Sequence, residues 1–102
     1  MSLKKKYLKK GICKVTFRLP KEVAPSASAV SLVGDFNDWD AEACPMKKLK
    51  NGSFTATIDL DRGQEYQFRY CIDQNKWEND WEADKYVPNE FGDADNSVVV
   101  IT

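Results

Sequence analysis

The feature that most restricts this chain is a period of two. Between residues 13 and 101, apolar and polar side chains alternate along one segment after another. In Cys13–Leu19, Cys13, Val15, Phe17 and Leu19 share one side, and Lys14, Thr16 and Arg18 share the other. Ser53–Leu60 sets Phe54, Ala56, Ile58 and Leu60 against Ser53, Thr55, Thr57 and Asp59. Glu65–Asp73 points Tyr66, Phe68, Tyr70 and Ile72 inward, with Gln67, Arg69 and Cys71 outward. Successive side chains of a strand leave opposite faces of a sheet, whereas a helix needs apolar residues every three to four positions. The pattern therefore predicts half-buried antiparallel strands. Shorter runs at Val30–Gly34 and Ser97–Thr102 complete it.

Turn chemistry separates the runs. Pro20 stops the first, and Ala24–Ser28 is a Pro/Ser/Ala connector. Asn51-Gly52 predicts a type I′ hairpin, with positive φ at both residues, joining a short Met46–Lys50 strand to the next one. Asp61-Arg62-Gly63-Gln64 and Asp73-Gln74-Asn75-Lys76 supply two more turns. Asn79–Lys85 reads as a single helical turn capped at Asn79 or Asp80. A chain of 102 residues holds one domain. The expectation is an all-β, immunoglobulin-like antiparallel β-sandwich over residues 12–102. Residues 1–11 are read as a basic, solvated tail carrying Lys4, Lys5, Lys6, Lys9 and Lys10.

Composition removes several chemistries. The chain has no histidine, which excludes Ser-His and Cys-His nucleophile pairs, His-ligated zinc and imidazole acid–base catalysis. Its 15 basic and 16 acidic residues nearly cancel. The reading is therefore against nucleic acid, which needs a continuous basic face. Eight acids between Asp73 and Asp95 are read as a solvated face rather than a hydrolytic pair. Asp73-x-Asn75 and Asp93-x-Asp95 start like calcium loops but lack the later ligands, so no metal and no cofactor is expected. Three cysteines at irregular spacing make no disulfide framework, which points to a reducing cytoplasm. No signal peptide is evident in the first 20 residues, and no apolar run nears the ~20 residues that span a membrane.

Two stretches break the alternation: Gly34–Asp40, with Phe36 and Trp39, and Lys76–Gly92, with Trp77, Trp81, Tyr86 and Phe91. Large aromatics on loops held by a rigid scaffold point to binding. A sugar ring needs a flat aromatic surface for its C–H face and polar groups for its hydroxyls. Trp39 and Trp77 are candidate platforms, Arg69 a candidate donor, and Asn37, Asn75 and Asn96 candidate amides. The plainer alternative is that each tryptophan plugs an end of the sandwich. It weighs most at Trp81, which stands among Asp80, Glu82 and Asp84.

Three segments also carry a family resemblance: V-S-L-V-G-D-F-N-D-W (Val30–Trp39), E-Y-Q-F-R-Y-C-I-D-x-x-x-W (Glu65–Trp77) and Y-V-P-N-E-F-G-x-x-x-N-S-V-V (Tyr86–Val99). Together they closely resemble the family 48 carbohydrate-binding modules. This family includes the glycogen-binding domain of the AMP-activated protein kinase β subunit and domains that precede the barrel of isoamylases and branching enzymes. The resemblance implies an early-set immunoglobulin-like sandwich that binds α-1,4-linked glucans without catalysis. It places the family's stacking tryptophans on Trp39 and Trp77, its basic strand residue on Arg69, its apolar loop residue on Phe91 and its loop asparagine on Asn96. The alternative is a module of the same fold that binds no sugar. It would dock in trans onto a glycogen-metabolising enzyme, through Val98–Ile101 as an apolar edge or through the lysine tail.

Overall fold

The alternating segments pair into two antiparallel sheets that pack as a sandwich. This computed structural model describes residues 3–89, 92 and 94–102. Among them nine strands form: β1 (Leu3–Tyr7), β2 (Ile12–Leu19), β3 (Val30–Gly34), β4 (Lys47–Lys48), β5 (Phe54–Asp61), β6 (Gln64–Ile72), β7 (Lys76–Glu78), β8 (Lys85–Pro88) and β9 (Asp95–Ile101). One sheet has the order β1-β2-β5-β4, and the other β3-β6-β9-β8. Strand β9 pairs with Gln64–Phe68 of β6, and β7 pairs with Tyr70–Ile72 further along.

The inward sets meet as the alternation requires. Val15, Phe17, Leu19 and Phe54 of one sheet face Leu32, Phe68, Tyr70 and Val99 of the other, and all are buried. Phe17 and Phe68 meet edge-on at 5.0 Å between ring centroids, and Phe68 and Tyr70 at 5.8 Å. Ala56 and Ile58 are only half-buried. Strand β4 pairs with β5 only at Phe54 and Thr55.

Several local expectations meet a different outcome. The stretch read as a tail contains β1, which pairs with β2 from Leu3↔Phe17 to Tyr7↔Cys13. Leu3 is buried in the core, and Lys5 reaches Asp84 at 2.6 Å. Lysines on such an edge discourage pairing with another chain. The Asn51-Gly52 turn is not type I′, because only Gly52 has positive φ (90°). Gly52 N–H donates to Leu49 C=O at 3.0 Å, and the Asn51 side chain accepts from Ser53 N–H at 2.9 Å. Lys50 and Asn51 are then the centre of an ordinary turn, with Gly52 as the left-handed residue that follows it. Asn79–Lys85 forms no helical turn; the Asp80 side chain accepts from Glu82 N–H at 2.7 Å instead. Of Val98–Ile101, Val98 pairs with β8 and the other three residues pair with β6 alone, but Val98, Val99 and Ile101 are buried, so the stretch presents no exposed apolar patch.

Candidate functional site

The site is built where β3 ends. Asn37, in a 3₁₀ turn over Asp35–Asn37, accepts from Gly34 N–H at 3.1 Å and donates to Leu32 C=O at 2.9 Å. Asp38 and Trp39 both take left-handed backbone angles (φ 55° and 57°), which fold the chain back. Such angles disfavour non-glycine residues by roughly 1–2 kcal/mol each. Here hydrogen bonds offset the cost. Trp39 N–H donates to Gly34 C=O at 2.9 Å. The Asp35 carboxylate accepts from Trp39 Nε1 at 2.9 Å with one oxygen and from Gln67 N–H at 2.8 Å with the other. One carboxylate thus fixes the indole against strand β6.

Strand β6 supplies the next groups by its alternation: Gln67, Arg69 and Cys71 leave the outward face. Arg69 Nε and Nη2 donate to Asp95 C=O at 3.2 and 2.7 Å. This bidentate hold on a carbonyl anchors the guanidinium but leaves it a further donor group. Asn96 Nδ2 donates to Gln67 Oε1 at 2.9 Å. Trp77 stands opposite Cys71 across the β6–β7 pair and is 45% exposed. Its hairpin turns through Asp73 and Gln74, both left-handed (φ 49° and 67°). The Asp73 carboxylate accepts from Ser28 and Ala29 N–H at 2.9 Å each, which ties the hairpin to the connector before β3. Cys71, expected outward, is on that face but buried, flanked by β3 and β7. Burial pushes its thiol pKa up, and a backbone hydrogen bond involving Gln74 partly offsets this.

These side chains line one open groove of about 680 Å³: Asp35, Trp39, Gln67, Arg69, Trp77, Pro88, Asn89 and Asn96. Four of the sequence-derived candidates, Trp39, Arg69, Trp77 and Asn96, are therefore brought together. Phe91 lies outside the described residues. Asn37 is spent on the turn, and Asn75 does not line the groove. Asp35, Gln67, Pro88 and Asn89 were not singled out from the sequence. Gln67 was within reach, because it stands two residues from Arg69 on the same strand face. Asp35 is the only carboxylate among the described lining residues, and both its oxygens accept protein hydrogen bonds. Among the described residues the groove thus offers ring faces, amides and a guanidinium, and a single carboxylate rather than the pair that glycoside hydrolysis uses. Among the described residues, no group of three or more His, Cys, Asp or Glu is placed to hold a metal ion.

A buried polar network supports the groove from behind. Tyr70 OH donates to Asp80 Oδ2 at 2.6 Å, and Asp80 N–H donates to Ser97 Oγ at 2.9 Å. Ser97 Oγ donates to Asn79 Oδ1 at 2.8 Å, and Asn79 Nδ2 donates to the same Asp95 carbonyl that holds Arg69. Burial, then the charge of Asp80 and its hydrogen bond, push the Tyr70 hydroxyl pKa well above its ordinary value. Trp81 lies outside the groove and is 63% exposed, so it plugs no core.

The sequence matches the family described as "Carbohydrate-binding module 48 (Isoamylase N-terminal domain)" over residues 6–87. It is 48% identical over 46 residues to a 1,4-alpha-glucan branching enzyme of Photobacterium profundum, covering 44% of this chain and 6% of that protein. A branching enzyme of Aquifex aeolicus is 40% identical over 60 residues, 56% of this chain and 9% of the relative. An amylopullulanase of Thermoanaerobacterium thermosulfurigenes is 36% identical over 75 residues, 72% of this chain and 4% of the relative. The chain thus spans less than a tenth of the length of these relatives. Among the described residues, no helix is long and apolar enough to cross a membrane.

Proposed function

The chain belongs to the carbohydrate-binding module 48 family, and from that premise we propose that its groove binds α-1,4-linked glucans such as glycogen, starch and maltooligosaccharides. Trp39 and Trp77 stack on the C–H faces of pyranose rings. Arg69, Asn96 and Gln67 hydrogen-bond the ring hydroxyls. The observation that carries this reading is that both tryptophans line the same groove as the outward Arg69. Each stacked ring contributes about 0.5–1.5 kcal/mol beyond area burial. Short oligosaccharides are then held at micromolar to millimolar Kd, roughly −8 to −4 kcal/mol. No proton transfer is asked of the site, in keeping with a chain that has no histidine. A glycogen-metabolising enzyme is the proposed protein partner in trans; the relatives similar to this chain include 1,4-alpha-glucan branching enzymes. Three unpaired cysteines favour a reducing, cytoplasmic setting.

Calorimetry with maltoheptaose and β-cyclodextrin tests the proposal. Wild type binds, and Trp39→Ala and Trp77→Ala each weaken binding about tenfold or more, as ~1.4 kcal/mol per decade implies. No heat with wild type, or unchanged affinity in both variants, overturns it.

A further inference from the structure

We infer that Trp81 and Tyr86 form a second stacking platform for a glucose ring, apart from the groove, so that a polymeric α-glucan is held at two points; this rests on the groove being a glucan site. Trp81 is 63% exposed, more than Trp39 (36%) or Trp77 (45%). A ring of this size left in water forfeits its hydrophobic stabilisation unless a ligand covers it.

The ring is also held in place. Trp81 Nε1 donates to Glu78 Oε1 at 3.0 Å. The residue before it, Asp80, is 1% exposed and bound to Tyr70 and Ser97. Tyr86, itself 44% exposed, donates its hydroxyl to the Asp80 carbonyl. Two exposed rings thus hang on one buried residue, and little conformational freedom is left to lose on binding.

The neighbouring charges favour a sugar over a basic peptide. A cation on an aromatic face is best held where carboxylates remain to pair with it. Glu78 is engaged with the indole itself. Asp84 accepts from Lys5 at 2.6 Å and from Val100 N–H at 2.7 Å. Glu82, exposed beside the indole, is engaged as well, and the ring surface next to it matches the C–H face of a pyranose.

The two sites are near enough to share one polymer. Asn79 donates to the Asp95 carbonyl that also holds Arg69 of the groove. Trp81 is two residues further on, at most ~7 Å of extended chain. A polymer held in the groove then presents more glucose units to Trp81 at a high effective concentration, which raises avidity without any change at the groove.

The test compares glycogen with β-cyclodextrin on wild type and Trp81→Ala, by calorimetry and by retardation in glycogen-containing native gels. The expected result is glycogen affinity at least tenfold lower in Trp81→Ala, cyclodextrin affinity within twofold of wild type, and recovery of glycogen binding in Trp81→Phe. Unchanged glycogen affinity in Trp81→Ala overturns the platform while leaving the groove in place. An equal fall for both sugars also overturns it, because it would make Trp81 part of the groove or of the fold. Wild type binding neither sugar removes the groove reading and the platform with it.

Discussion

Replacing Gly34 by alanine tests whether the site rests on a close approach between strands. Gly34 has φ −175° and ψ −169°, an extended conformation that any residue adopts. Its small size is needed for contact instead. A Cβ there would sit 2.5 Å from Gln67 O, 2.8 Å from Phe68 Cβ and 2.9 Å from Phe36 Cζ. All three are far inside ordinary van der Waals separation. The first two belong to β6, which is held between β3 and β9 and has little room to move. Overpacking of a well-filled interior costs about 1–3 kcal/mol. Backbone and Cβ atoms yield less readily than a side-chain tip, so the upper part of that range, about 2–3 kcal/mol, applies. For a domain this size each kcal/mol moves Tm by about 4–8 °C, so the melting temperature falls by roughly 8–24 °C. The contact also lies beneath the groove, because Gln67 N–H holds Asp35 and Gly34 C=O holds Trp39. Glucan affinity of the folded variant therefore drops as well. Gly63→Ala is the comparison: its φ of 79° is strained for alanine, but its Cβ would meet nothing within 4 Å. Its cost is the left-handed penalty alone, roughly 1–2 kcal/mol. Thermal melts by circular dichroism and urea titrations at constant m-value read both variants. If Gly34→Ala loses no more stability than Gly63→Ala, the close-approach argument is refuted.

Other expectations concern the polar network and the sheet edges. Tyr70→Phe takes a donor from the buried Asp80 carboxylate, at a cost of about 1–3 kcal/mol visible as a lower Tm. The pH profile carries a sign. An unfolded tyrosine ionises at an ordinary pKa near 10.0, whereas burial and Asp80 hold the Tyr70 proton to higher pH. Its contribution is whole below pH 10 and is lost as pH rises from there towards the folded pKa. Urea unfolding of wild type between pH 9 and 11 should show this extra loss, and Tyr70→Phe should lack it. At the β1 edge, Lys5→Ala costs under about 1 kcal/mol, as part-exposed ion pairs do. Asp84→Ala costs more, about 1–2 kcal/mol, because Val100 N–H loses its acceptor too. Equal urea midpoints for the two variants would contradict that difference.

The inward sets of β2, β5 and β6 were legible because a strand's two faces alternate whatever it pairs with. Phe17, Phe54, Phe68 and Tyr70 therefore declared themselves by spacing. The aromatic loops were legible for the complementary reason: Trp39 and Trp77 stand where the alternation fails. Strand β1 was hidden because its Lys-rich stretch has no apolar alternation. It becomes a strand only by pairing with β2, a contact that no local pattern encodes. The turn at Asn51 was misread because side-chain bonding to Ser53 satisfies the backbone without a second positive φ.

The sequence by itself therefore determined the all-β class, the strands that build the core and the two stretches that carry the exposed tryptophans. These follow from local periodicity and from where it breaks. Tertiary structure alone decided how far residues on one strand face differ in burial. Cys71 is covered by flanking strands, whereas Gln67 and Arg69, on the same face, reach the groove. It also decided that Asp80, in an acid-rich stretch, is buried and hydrogen-bonded while its neighbour Trp81 stands in water. No period encodes either result, because burial and hydrogen-bond partners are set by segments distant in the chain. The gathering of Trp39, Arg69, Trp77 and Asn96 about one groove has the same origin. It requires β3, β6, β7 and β9 to be neighbours, and only the packed sheet makes them so.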